Sequence, residues 1–100
     1  MNRIMLSLSL LLSACATSSP DMIGATRSEV SLDGVNFVVF HDGVEAEVVR
    51  MGYLSRSDRA RIPELMSQAV AQASGCRVIL DSMTTRLPGD TGVARFDLDC

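Results

Sequence analysis

The sequence predicts an α+β fold: an antiparallel sheet of about five strands in the order β-β-β-α-β-β, with one helix packed on one face. Three observations carry this. Two Asp-Gly dipeptides, Asp33-Gly34 and Asp42-Gly43, separate short apolar runs, which is a strong hairpin signal because type I′ turns need positive φ at both central positions. Between Ile62 and Ala73, apolar residues recur with helical spacing. The last quarter returns to two apolar runs on either side of Leu87-Pro88-Gly89-Asp90, which suits a type II turn.

Residues 1–14 stand outside that fold. Met1-Asn2-Arg3 is a short head with one positive charge, and Ile4 to Leu12 is apolar apart from Ser7 and Ser9. A spanning helix needs about 20 apolar residues, so this run has the proportions of a removable export signal. Its end, Leu12-Ser13-Ala14-Cys15, resembles the lipobox of bacterial lipoproteins, a leucine and two small residues before a cysteine. The resemblance covers residues 1–16. It implies a diacylglyceryl group on the Cys15 sulfur, cleavage before Cys15 and acylation of the freed amine. One acyl chain binds a membrane only marginally, whereas two or three hold firmly. Ala16 follows the cysteine where an aspartate would favour the inner membrane, so the resemblance implies the periplasmic face of the outer membrane. Ala14-Cys15-Ala16 also fits ordinary small-x-small cleavage, which would release a soluble periplasmic chain beginning at Thr17.

Export places the remaining cysteines in an oxidising compartment. With Cys15 acylated as the resemblance implies, Cys76 and Cys100 are left to form a disulfide. Residues 15–27 are then the lipidated cysteine and a flexible tether, ATSSPDMIGATR, with a typical span of about 20 Å. Residues 28–100 form a single small domain.

Within it, strands are expected at about 28–32, 35–41 and 44–51. In the third, Val44, Ala46 and Val48 alternate with Glu45, Glu47 and Val49, as when one face meets water. Ser57 is a candidate N-cap, and Asp58 suits the positive end of a helix dipole. Pro63 is tolerated only in a first turn, so residues 58–62 make either a separate turn or the bent start of the helix. The stripe Ile62, Leu65, Met66, Ala69, Val70 and Ala73 lies on one side, and Gly75 ends the helix. Setting Cys76 opposite Cys100 places Val78 against Leu98, Leu80 against Phe96 and Arg77 against Asp99, with the turn at Pro88. The last two strands thus form a disulfide-stapled hairpin.

Without residues 1–14 the chain has 86 residues, room for one domain. Its eight arginines face twelve acidic residues, a formal charge of −4, which gives no footing on nucleic acid. His41 is the sole histidine and lies beside a turn, so no zinc-ligand spacing is present. Glu45 with Glu47, and Asp97 with Asp99, read as the polar side of strands, and Arg56, Arg59 and Arg61 as a solvated helix start. No catalytic residue or metal site is assigned, and no cofactor beyond the covalent lipid on Cys15. The 81–92 loop offers Thr84, Thr85, Arg86 and Asp90 on a stapled scaffold, a suitable place for binding groups. The expected protein is a small lipid-anchored envelope protein. Its partners are the membrane, through the anchor, and an envelope protein that it binds without catalysis. A small envelope enzyme or ligand-binding module is the alternative.

Overall fold

The computed structural model describes residues 19–100 apart from Tyr53; the export signal and Cys15 lie outside the described residues. Strands β1 (Thr26–Leu32), β2 (Val35–His41) and β3 (Glu45–Met51) form an antiparallel meander. Helix α1 (Ile62–Ser74) follows, then the two-residue β4 (Arg77–Val78) and β5 (Val93–Asp99). β5 pairs with β3, giving the sheet order β1-β2-β3-β5-β4. This is the predicted α+β sheet, with the one α-helix of the described residues on one face.

The helical stripe and the strand alternation meet in one core. Ile62, Leu65, Met66, Ala69 and Val70 of α1 pack on Phe37, Val39, Ala46, Val48, Phe96 and Leu98. Each large apolar side chain so buried contributes about 1.5–3 kcal/mol. Pro63 sits in the first turn of α1, and Arg56–Arg61 makes a separate 3-10 helix before it. That helix starts after Ser55, not at Ser57; the Ser55 hydroxyl donates to Asp58 at 2.7 Å. Gly75, at φ 72°, closes α1 with its N–H on the Ala71 carbonyl.

The two Asp-Gly turns differ. Asp33 and Gly34 both have positive φ, and Leu32 faces Val35, as a type I′ hairpin requires. At the second, only Gly43 is positive. There the Asp42 carboxylate accepts the N–H groups of Val44 and Glu45 at 2.9 and 2.8 Å. The aspartate side chain, able to mimic a backbone turn, replaces the expected type I′ geometry.

Cys76 and Cys100 are disulfide-bonded, with Cα atoms 4.6 Å apart. Arg77 faces Asp99 and forms an ion pair with it, and Val78 faces Leu98, as the register predicts. Gly89 has φ 77° and the Asp90 N–H donates to the Leu87 carbonyl, consistent with the expected type II turn. The pairing of Leu80 with Phe96 is not formed. After Val78 the chain turns outward, with the Ser82 N–H on the Ile79 carbonyl and Asp81 at φ 64°. The ladder resumes three residues out of step at Thr84, which pairs with Arg95. Met83 thereby takes the position opposite Phe96 and packs on the core, and Leu80 is left 89% exposed.

The segment expected as a tether is also different from Ser19 onward. Pro20–Met22 forms a 3-10 turn, and Met22 is buried against Val38 and Phe40 on the sheet face away from α1. Ala25, Val49 and Met51 pack on the same cluster. That face carries enough apolar surface to demand a cover, and the N-terminal segment supplies it. β1 accordingly begins at Thr26.

Cys76→Ser and Cys100→Ser are each expected to cost about 3.5 kcal/mol by equilibrium denaturation, from the loop closed by the bond. Strongly unequal losses would contradict the pairing. Asp42 gives a pH test. Its carboxyl is held below the ordinary range, first by the Glu45 N–H and then by that of Val44. Such a group contributes stability above its unfolded pKa of about 3.9, and that contribution is lost as pH falls through the lower folded value. The stability gap between wild type and Asp42→Asn should therefore shrink with falling pH below about pH 4. Urea titrations across that range decide it; a gap independent of pH would count against the turn chemistry.

Candidate functional site

The 79–92 loop is irregular in path but tied down at several points. Its first turn is closed by the Ser82 hydroxyl, which donates to the Ile79 carbonyl at 2.6 Å and accepts the Asp97 N–H at 3.0 Å. Thr84 and Arg95 exchange two backbone hydrogen bonds, at 2.8 and 2.9 Å. Arg50 of β3 holds the return limb: its Nε donates to the Thr91 carbonyl and its backbone N–H to Gly92, both at 2.8 Å. A connection with this many anchors presents its side chains in fixed positions.

Three of the expected binding residues, Thr84, Thr85 and Arg86, line a shallow cleft of about 260 Å³. Asp90 is not among its walls; its carboxylate accepts the Gly92 N–H at 2.7 Å and shapes the turn instead. The other polar walls are Ser19, Glu47 and Arg95. None of these three is a predicted site residue. Glu47 was expected on the solvated side of β3, yet it is only 4% exposed. Its carboxylate accepts the Ser19 N–H at 2.8 Å and the Ser19 hydroxyl at 2.5 Å. Arg95, opposite Glu47 across the β3–β5 ladder, donates to Glu47 at 3.2 Å and to Glu45 at 3.4 Å. A carboxylate buried this deeply must be paired and hydrogen-bonded, and here both conditions are met.

The remaining candidates are apart from the cleft. His41 lies 3.5 Å from the Ser28 hydroxyl, Arg61 pairs with Asp33 at 3.3 Å, and Arg59 donates to the Leu54 carbonyl. Among the described residues no group of three metal-ligating side chains gathers, and no helix is long and apolar enough to cross a membrane. The described surface is marked instead by apolar side chains: Ile23, Val44, Leu80 and Leu87 are each more than 60% exposed.

Compared with known protein families, characterised proteins and solved structures, the chain has no match.

Chemically, the cleft offers the Thr84 hydroxyl and the Arg86 guanidinium, which suit a small anionic or hydroxylated group; the Thr85 hydroxyl donates to the Leu87 carbonyl at 2.8 Å, and Glu45 and Glu47 share the one guanidinium of Arg95. This Arg–Glu cluster also sets the position of the N-terminal segment. Glu47→Ala should free Ser19, remove one carboxylate partner of Arg95 and cost about 1–3 kcal/mol. Hydrogen exchange should show residues 19–25 losing protection before the rest of the sheet. Unchanged protection there would refute the role of Glu47 as the clasp.

Proposed function

We propose that this protein is a lipid-anchored component of the bacterial envelope that binds another envelope protein and performs no catalysis. In this reading Cys15 is acylated and the domain faces the periplasm from the outer membrane. Leu12-Ser13-Ala14-Cys15 and Ala16 support the address, and the disulfide suits an oxidising compartment.

The observation that carries the binding role is the outward turn at Ile79-Leu80. Two more residues of regular ladder would place Leu80 against Phe96. The chain instead puts Asp81 in the left-handed region and leaves Leu80 89% and Ile79 44% exposed. A leucine left in water forgoes about 1.5–3 kcal/mol of burial. Nothing in the domain recovers that from Leu80 itself, whereas a partner that covers it would. Asp81, next to the pair, supplies a charge for register on the partner.

A photo-crosslinking side chain at Ile79 in native envelopes should capture a defined protein. Leu80→Ser should abolish that capture while leaving the fold within about 0.5 kcal/mol of wild type, as for other exposed sites. In parallel, Cys15→Ser should accumulate uncleaved precursor without acyl label. Capture unaffected by Leu80→Ser would refute the binding surface. Continued cleavage at Ala16 without acylation would refute the anchor.

A further inference from the structure

The docking of Ser19 leaves three residues between Cys15 and the domain, a connection of four Cα-to-Cα steps. At full extension four such steps reach about 14 Å. The polar headgroup layer occupies about 5–8 Å of each leaflet. If Cys15 holds its acyl chains at the base of that layer, Ser19 is kept in it or within several Å of its surface. Ser19 is itself a wall of the cleft formed by Thr84, Thr85 and Arg86. The connection is too short to let this face turn far from the bilayer.

The residues on that face suit such a position. Arg86 is exposed and makes no ion pair among the described residues. Leu87, next along the tip, is 66% exposed. Ile23, on the segment laid over the same side of the sheet, is 82% exposed. A cation beside projecting apolar side chains is the pattern of interfacial membrane contact. Of the nearby acidic groups on the sheet, Glu47 is buried and shares the one guanidinium of Arg95 with the more exposed Glu45, and Asp90 is engaged with the Gly92 N–H.

We propose that this face rests on phospholipid, with Arg86 and the Thr84 hydroxyl at headgroup phosphates and Leu87 at the acyl boundary. The proposal rests on the anchored reading above. The domain is thereby oriented: the 84–87 tip faces the membrane, and α1 on the opposite side of the sheet faces the periplasm.

The chain has no tryptophan, so one introduced indole reports alone. The full lipidated protein is reconstituted in phosphatidylcholine vesicles with brominated acyl chains, carrying either Leu87→Trp or Gln68→Trp; Gln68 is exposed on α1. Emission from Leu87→Trp should fall roughly twofold and shift to the blue, as for a side chain at interfacial depth. Gln68→Trp should be unaffected, and Arg86→Glu added to Leu87→Trp should reverse most of the quenching. Equal emission from both reporters, in a protein whose intact mass shows acylation, overturns the membrane contact and leaves the anchor standing; the tip then belongs to a protein partner. An unacylated mass removes the anchor and the contact together.

Discussion

A sheet has two faces and the described residues hold one α-helix, so the second face must find its cover elsewhere. Val38, Phe40, Val49 and Met51 project from that face, too much apolar surface to leave in water. Met22 lies over them, and the segment that carries it is fixed by Ser19 on the buried Glu47. Glu47 is tolerated there because Arg95 and Ser19 complete its partners. Removing one member of such a group leaves a charge without compensation, which costs more than the pair contributes when intact. The second face is therefore covered through a single polar junction.

That junction also couples parts of the chain that are distant in sequence. Arg95 belongs to β5 and pairs through its backbone with Thr84, while its guanidinium reaches Glu45 and Glu47 on β3. Cys100, just past the end of β5, is bonded to Cys76 at the start of β4. The N-terminal segment, the central strand and the stapled loop thus meet at the Glu47–Arg95 pair. This is why the cleft has walls from residue 19 as well as residues 84–86. A displacement of the N-terminal segment at Ser19 would be felt first at Glu47 and then, through Arg95, at the loop.

Much of this architecture is legible in the sequence because local chemistry agrees with the global fold. Asp33-Gly34 can only be a tight turn, the Ile62-to-Ala73 stripe can only be a one-sided helix, and the cysteine register is corroborated by Arg77 against Asp99. The exceptions have identifiable physical causes. The Asp42 turn depends on a side chain replacing backbone geometry, which the dipeptide alone does not reveal. Burial of Glu47 depends on Arg95 lying across from it, and strand order is not written in one strand. Met22 docks because of apolar residues on β2 and β3, a need that appears only once the sheet exists. The Leu80 register fails because Met83 fills the same place after a three-residue excursion, and alternation cannot tell a continuous ladder from one that leaves and returns.

That excursion is affordable for a stapled hairpin. Leu80 in water forgoes about 1.5–3 kcal/mol, and Asp81 in the left-handed region adds about 1–2 kcal/mol of strain. In the chain-entropy account the Cys76–Cys100 bond contributes about 3.5 kcal/mol, enough to offset most of both. Without the covalent link, β4 would hold β5 by only two residue pairs, and a loop with an exposed leucine at its base would compete with fraying. With it, the chain can leave the ladder, expose an apolar pair and rejoin at Thr84 without losing register. Strain kept where the surrounding structure holds it firmly is the usual setting of a functional surface, and here the strained residue, the exposed leucine and the staple lie within one short stretch.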